Sequence, residues 1–318
     1  MAMADGRWRW RWQMAMADGN NLSHSHSKKV KSNMKKDYSI AGHRIRIEGC
    51  EEWIKAVATL DGFKPFEVDA EGEALAVFTL TDELAPEMTE VQYESEVDGI
   101  VDRFGRYEGG YLFVMTPPDS ASLSLWKEEG SNVVKFNGQL MPRLVRFALW
   151  IAYGLVTMAH RTVAVHTSVI QYKGRTVLFL GESGTGKSTH TRLWRENIEG
   201  AVLLNDDSPI LRIIDGKPWM YGSPWSGKTP CYKQESYPLA ACVRLSQAPY
   251  NKIQRLSIPQ AYAALHPSCP PDFAYDDTLY DCISETIGEV LAQIPLYHLA
   301  CLPNAEAARL SCKTVFGE

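Results

Sequence analysis

A glycine-rich loop at residues 181–188 constrains the fold of this chain more than any other feature. The segment Gly181–Ser188 reads GESGTGKS and satisfies the pattern G-x-x-x-x-G-K-[ST]. A strand-forming run, Thr176–Leu180, precedes it, and a helix-like run, Thr189–Asn197, follows it. Glycines in such a loop let successive backbone N–H groups point at phosphate oxygens, and the helix N-terminus adds its positive end. The sequence therefore predicts an α/β domain built around a nucleotide-phosphate site.

Two side chains at the end of this loop have defined expected roles. We expect Lys187 to bridge the β- and γ-phosphates of the nucleotide. We expect the Ser188 hydroxyl to complete the coordination shell of a Mg²⁺ ion. A glycine turn without any ligand is the alternative, but the strand and helix on either side favour the phosphate site.

A second run, Ala201–Asp207, ends in two carboxylates. It reads AVLLNDD, a short apolar strand that would deliver an acid to the metal beside the phosphates. One carboxylate would hold Mg²⁺ while its neighbour, which faces the other way, would act as the base towards the attacking group. In the alternative interpretation, Asp206 and Asp207 only form a turn ahead of Ser208-Pro209.

Two further side chains are candidates, each with a structural alternative. His166 lies in the strand-like run Thr162–Tyr172, where a lone histidine is more often a packed core residue than a catalytic one. Lys228 lies in Tyr221–Pro230, a loop dense in turn-forming residues. Because loops carry many binding sites, Lys228 would stabilise transferring charge, or the loop would simply cap the pocket.

Sequence patterns divide the chain into three parts. Residues 1–33 contain the repeat MAMADG around an Arg/Trp run and are expected to be a disordered leader or tag. Residues 34–140 are expected to form a smaller, β-rich N-terminal domain with an antiparallel sheet, and residues 141–318 a catalytic domain that starts with a helix at Pro142–Ala159. The strands predicted for the N-terminal domain are Ala74–Leu80, Tyr111–Thr116, Ser122–Trp126 and Asn132–Phe136.

Composition excludes several classes of function. The 33 basic and 38 acidic residues give a formal charge of −5, which argues against a main role in binding nucleic acid or an anionic membrane. Seven cysteines without a C-x-x-C pair argue against a zinc site and a disulfide framework, and favour a reducing, cytoplasmic location. The longest apolar run, Phe147–Ala159, has 13 residues. A membrane-spanning helix needs about 20.

Three of these segments together resemble a known family. Val165–Ser168, the loop Gly181–Ser188 and Leu203–Asp207 occur in the order and spacing of the catalytic domain of HPr kinase/phosphorylase. That domain is similar to the nucleotide-binding core of ATP-dependent phosphoenolpyruvate carboxykinase. The chain from His166 to about Cys312 looks like a bacterial HPr-kinase-like branch in which the loops GESGTGKSTH and SPWSGKTPCY occur together.

The resemblance implies an ATP-dependent kinase that phosphorylates a serine of a protein or peptide. It implies an α/β fold with a P-loop catalytic domain of the HPr kinase/phosphoenolpyruvate carboxykinase type. Lys187 and Ser188 match the phosphate and magnesium contacts, His166 matches the family's histidine, and Asp206 and Asp207 match an acid pair of which one binds metal and the other acts as base. We expect Asp206 to bind the metal and Asp207 to be the base, with Lys187, His166 and Lys228 completing the catalytic set. The implied nucleotide-binding residues are Gly181, Glu182, Ser183, Gly184, Thr185, Gly186, Lys187, Ser188 and Thr189.

The resemblance also bears on assembly and on reversibility. The parent family forms hexamers, so a homo-oligomer is implied. Thr167 stands where that family has Gly after its histidine, and its later glycine-rich signature is missing from this chain. Neither reversal by phosphate nor recognition of HPr itself is therefore implied.

Two other functions compete with the kinase. The first is a nucleotide-gated binding module in which ATP orders a partner surface without phosphotransfer. The paired acids argue against it, because binding alone needs only one carboxylate. The second is a carboxykinase acting on oxaloacetate, which would need an Arg-lined pocket and a transition-metal site to which His166 and Asp206 would contribute.

Overall fold

Two nine-stranded sheets carry the fold, one in each of two units of the chain. The computed structural model describes residues 34–69, 71–227 and 229–317. Within these, the N-terminal unit contains residues 34–157 and 223–234, and the C-terminal unit contains the rest. The expected leader at residues 1–33 lies outside the described residues.

The N-terminal unit contains strands β1 to β9 and helices α1 and α2. Its elements are β1 (Met34–Ile40), β2 (His43–Gly49), α1 (Glu51–Ala58), β3 (Glu67–Val68), β4 (Ala76–Leu80), β5 (Glu90–Val97), β6 (Ile100–Tyr107), β7 (Gly110–Thr116), β8 (Leu123–Glu128), β9 (Val133–Gly138) and α2 (Pro142–Thr157). The strand order is β3-β1-β2-β4-β9-β8-β7-β6-β5.

This sheet is mixed, whereas the sequence predicted an antiparallel one. Strand β4 runs parallel to both β2 and β9, and the remaining pairs are antiparallel. Parallel neighbours need a crossover connection, which α1 and β3 provide between β2 and β4. Local alternation of residues predicts strands but contains no information about these long connections.

The apolar helix predicted at the start of the catalytic domain forms as α2, but it belongs to the N-terminal unit. It packs against β7, β8 and α1. Every residue from Leu144 to Thr157 is buried, so the helix needs cover on all sides. The division between the units therefore falls after Thr157, and not at residues 140–141 as the sequence analysis placed it.

Residues 223–227 and 229–234 also join this unit, and the side chain of Arg146 holds the first of these stretches. Its guanidinium donates hydrogen bonds to the carbonyl oxygens of Asp61 and Pro224, the second at 2.8 Å. In return, the indole Nε1 of Trp225 donates to the carbonyl oxygen of Arg146 at 3.1 Å. Trp225 is buried against Tyr153 and Phe63.

The C-terminal unit contains strands β10 to β18 and helices α3 to α6. Its elements are β10 (Thr162–Ala164), β11 (Thr167–Tyr172), β12 (Arg175–Leu180), α3 (Lys187–Asn197), β13 (Val202–Asp207), β14 (Ile210–Ile214), β15 (Lys217–Tyr221), β16 (Ser236–Gln247), β17 (Lys252–Arg255), α4 (Ile258–Leu265), α5 (Asp277–Leu291), β18 (Leu296–Cys301) and α6 (Ala305–Phe316). The strand order is β10-β14-β15-β16-β12-β11-β13, with β18 beside β16 and β17 beside β18.

The run Thr162–Tyr172, predicted as one strand, is two strands with His166 at the break. Strand β10 pairs with β14, whereas β11 pairs with β12 and β13. At the break, the backbone N–H of His166 donates to the carbonyl oxygen of Ser268 at 2.7 Å. His166 therefore does not lie in mid-strand, because the two halves of the run pair with different strands.

Buried aromatic contacts fix α3 against the sheet. The ring of Phe179 on β12 lies 4.8 Å from that of His190 and 5.6 Å from that of Trp194, measured between centroids. The indole Nε1 of Trp194 donates to the hydroxyl of Ser311 on α6 at 2.9 Å. Because His190 and Trp194 are one helical turn apart, one face of α3 is held along its length.

Two further findings concern the described residues as a whole. None of their helices combines the length and apolar character needed to cross a membrane. All seven cysteines fall within the described ranges and are thiols.

We predict that Arg146→Met lowers the free energy of unfolding by about 3 kcal/mol, because the buried carbonyl oxygen of Pro224 and the part-buried one of Asp61 lose a charged donor. Denaturant-induced unfolding measures this change. The matched control is Arg143→Met on the same helix, which loses one exposed ion pair to Asp98. We expect a loss of less than about 1 kcal/mol there. Equal losses in the two variants would contradict the anchoring role of Arg146.

Candidate functional site

The glycine-rich loop joins β12 to α3 within the C-terminal unit, where the sequence predicted a strand and a helix. All of Val177–Leu180 is buried, as expected for a strand covered on both faces. Gly181 has φ +152°, and a Cβ atom there would lie 2.7 Å from the Oγ1 of Thr185. Gly186 has φ +102° and precedes the first helical residue, Lys187. Only glycine fits the first of these positions without displacing the loop.

The ammonium group of Lys187 is held inside this loop. Its Nζ donates to the carbonyl oxygen of Gly181 at 2.7 Å and to that of Glu182 at 3.3 Å. Burial lowers the pKa of Lys187, and the carboxylates of Asp207, Asp206 and Glu182 act in the opposite direction. A cation over a ring of backbone groups is suited to bind the oxygens of a phosphate.

Ser188 and Asp206 converge on one point beside the loop. The Ser188 hydroxyl lies 3.2 and 3.1 Å from the two carboxylate oxygens of Asp206. Asp206 is buried, at the end of β13. One hydroxyl and one carboxylate are a donor set that fits Mg²⁺, which takes few protein ligands and completes its shell with phosphate and water oxygens.

No group of three or more His, Cys, Asp or Glu side chains that could hold a metal occurs among the described residues. A metal at Ser188 and Asp206 would thus depend on a bound phosphate for further ligands. This fits a metal that arrives with its nucleotide.

Asp207 is the last residue of β13 and directly follows Asp206, whose side chain points towards α3. The backbone of Asp207 has φ +113°, a conformation that residues other than glycine rarely adopt. Backbone strain of this kind is concentrated at functional sites.

His166 lies beside Asp207, with 3.6 Å between its Nδ1 and the Oδ1 of the carboxylate. Burial, and after it the charge of Lys187, lowers the pKa of His166 to about 3. The imidazole is therefore neutral at neutral pH and adds no positive charge beside Asp207. The structure thus brings His166, Lys187, Asp206 and Asp207 together in one place.

A cavity of about 530 Å³ opens next to the loop on the side of α3. Its lining residues are Gly184, Thr185, Gly186, Thr189, His190, Leu193, Leu245, Gln247, Ala248, Cys301, Leu302 and Pro303. Burial lowers the pKa of His190 to about 4, so none of these lining side chains is charged at neutral pH. The cavity is suited to an uncharged, flat group attached to the phosphates.

Sequence reasoning missed the distal half of this cavity. Gln247 ends β16 and Cys301 ends β18, and the two are paired in register. Both follow ordinary apolar strands, so the only available signal was their position at the carboxyl ends of strands parallel to β12. Lys228, the remaining predicted residue, lies outside the described residues.

Comparisons with known proteins identify no relatives: no protein-family model matches this chain, and neither does any curated protein.

We predict that Asp207→Gly raises the free energy of unfolding by about 1 kcal/mol, because glycine relieves the unfavourable backbone conformation. Calorimetric unfolding measures the change. Asp215→Gly is the matched control, since Asp215 has φ +49° in the left-handed region that aspartate tolerates. A decrease in stability in Asp207→Gly, without one in the control, would contradict this prediction.

Proposed function

We propose that the chain is an ATP-dependent kinase that transfers the γ-phosphate to a serine hydroxyl of a protein or peptide. The proposal includes a C-terminal P-loop catalytic domain of the HPr kinase/phosphoenolpyruvate carboxykinase type, a cytoplasmic location, ATP with Mg²⁺, and assembly into a homo-oligomer. The observation that carries it is a pair of adjacent carboxylates at the end of β13, each with a different neighbour. Asp206 contacts Ser188 of the loop, and Asp207 lies beside His166.

Each carboxylate has a distinct part in the proposed reaction. Asp207 accepts the proton of the serine hydroxyl as a bond forms between the serine oxygen and the γ-phosphorus. The bond from the γ-phosphorus to the β–γ bridging oxygen breaks, and ADP leaves. Asp206 and Ser188 would hold Mg²⁺, which supplies positive charge against the phosphates.

Lys187 neutralises charge on the leaving group. Its ammonium group contacts the carbonyl oxygens of Gly181 and Glu182, which keep it at the loop. From there it binds the phosphate oxygens of the nucleotide. His166 is neutral and buried, so it positions the carboxylate of Asp207 without competing for the role of Lys187.

The cavity beside the loop supports a nucleoside triphosphate as the donor. A volume of about 530 Å³ is in the range of small-molecule sites. Its uncharged lining suits a purine and ribose, and it adjoins Gly184–Gly186 of the phosphate loop. No lining side chain is a carboxylate. A carboxylate is the group that we expect to accept hydrogen bonds from N1 and N2 of guanine. We therefore propose ATP rather than GTP.

We predict that Lys187→Ala and Asp207→Asn each abolish phosphotransfer, because one loses the phosphate contact and the other the base. The assay incubates protein starting at Met34 with γ-labelled ATP, Mg²⁺ and a host lysate split into peptide and protein fractions. Label on a discrete acceptor is expected with the wild type only.

Lys313→Ala and Asp215→Asn are the matched controls, and we expect both to retain phosphotransfer. Circular dichroism checks that all four variants fold. A fully active Asp207→Asn variant would refute the base assignment. Nucleotide binding by the wild type without any transfer would favour the nucleotide-gated binding module.

We predict that Cys301→Trp weakens ATP binding at least about tenfold by filling the cavity, while affinity for tripolyphosphate changes less than about twofold. Titration calorimetry measures both ligands. Cys301→Ala, which leaves the cavity open, should bind ATP as the wild type does. Equal losses for ATP and tripolyphosphate in Cys301→Trp would mean that the loop itself is disturbed and that the cavity is not the nucleoside site.

A further inference from the structure

Five residues from five strands form one row across the end of the C-terminal sheet. The register pairs Asp207 with Thr167, Leu180 with Arg244, and Arg244 with His298. Thr167 and Leu180 stand next in line after the paired residues Ser168 and Phe179. Residues opposite one another on neighbouring strands point to the same face of a sheet. Arg244 and His298 therefore share one face, and Asp207 stands at the other end of the same row.

This face is the one opposite α3. The residues adjacent to the row contact α3: Phe179 packs on His190 and Trp194, and the Ser168 hydroxyl bonds that of Thr191. Leu245, the neighbour of Arg244, lines the cavity on the α3 side. Alternation along β16 then directs Arg244 away from the cavity beside the loop.

Arg244 is at the centre of a polar cluster on this face. It is 36% exposed, and its Nη2 lies 3.9 Å from Oε1 of Glu182 in the glycine-rich loop. Next to it, the Ser246 hydroxyl and the Nε2 of His298 are hydrogen-bonded at 2.8 Å. Burial and the charge of Arg244 lower the pKa of His298, so the guanidinium is the cation of this trio at neutral pH.

Carboxylate is the ligand chemistry that this cluster fits. A guanidinium binds a carboxylate through two parallel N–H groups, and the Ser246 hydroxyl is a further donor. Glu182 already brings a carboxylate near Arg244 at a longer distance, and its side chain is 76% exposed. Lys252 adds positive charge to the same face, because it pairs with Ala300, which in turn pairs with Ser246.

The distance from Asp207 to Arg244 determines how many residues a peptide needs in order to contact both side chains. Three strand-to-strand steps of about 4.8 Å separate them, or about 14 Å in total. An extended chain covers about 3.3–3.6 Å per residue, so about four residues span the gap.

We propose that the acceptor is a peptide segment with an Asp or Glu about four residues from the phosphorylated serine, and that Arg244 and Ser246 bind its carboxylate. The inference rests on the proposed kinase function and names the substrate class of that site. Because Thr167 and Leu180 within the row are buried, the acceptor runs along the edge at which β12 and β13 end, with its hydroxyl at Asp207 and its acid at Arg244.

The test uses short alanine-based peptides with one serine and one Glu four residues before or after it, and matched peptides with Gln instead. With the wild type, we expect at least one Glu peptide to exceed its Gln partner about tenfold in kcat/KM, as one charge-assisted contact implies. Arg244→Gln should remove this preference, and Arg244→Glu should prefer a Lys peptide. Arg192→Gln, at an exposed arginine on α3, is the matched control and should keep the preference for Glu.

Peptide binding in the presence of ADP is measured by fluorescence anisotropy as well, so the readout does not depend on turnover. The inference is overturned if wild-type protein treats Glu and Gln peptides alike in both orientations, if it binds neither, or if Arg244→Gln keeps the preference. Failure of the kinase proposal has a different result: no label transfer to any lysate acceptor, while binding of the Glu peptide still depends on Arg244.

Discussion

The packing of α3 on β12 is the interaction on which the candidate site depends. Phe179, His190 and Trp194 form a buried aromatic contact, and Trp194 extends it to α6 through Ser311. This contact fixes where α3 starts, and the loop between strand and helix has to close the remaining gap with glycines. The first turn of the helix then holds Lys187 and Ser188 next to the end of β13. Loss of the aromatic contact would therefore move the loop, Lys187 and the hydroxyl of Ser188 together.

Local chemistry predicted the backbone around the glycine-rich loop. The loop pattern requires glycine conformations, and the structure has positive φ at Gly181, Gly184 and Gly186. The apolar run before Asp206 and Asp207 likewise predicted a strand, and β13 ends at Asp207. These features arise within a few residues of sequence, where sterics and strand geometry decide the outcome.

Long-range pairing explains what the sequence did not predict. The break at His166 exists because β10 and β11 pair with different strands, and the sheet of the N-terminal unit is mixed because α1 and β3 form a crossover. Helix α2 has the apolar pattern that was predicted, yet nothing in that pattern specifies which unit covers it. Arg244, Gln247 and Cys301 are far from the loop in sequence, and only the register of β16 and β18 brings them near it.

Strand β16 supplies both faces of the candidate site with alternate residues. Leu245 and Gln247 line the cavity towards α3, whereas Arg244 belongs to the row that includes Asp207, and Ser246 lies on the same face as Arg244. Under the proposed function, the first pair lies at the phosphate donor and the second at the acceptor. Substitutions at odd-numbered positions of this strand end would then alter the choice of nucleotide, and those at even-numbered positions the choice of substrate. The two specificities can diverge independently in evolution, but a one-residue insertion in β16 would exchange the faces and disrupt both at once.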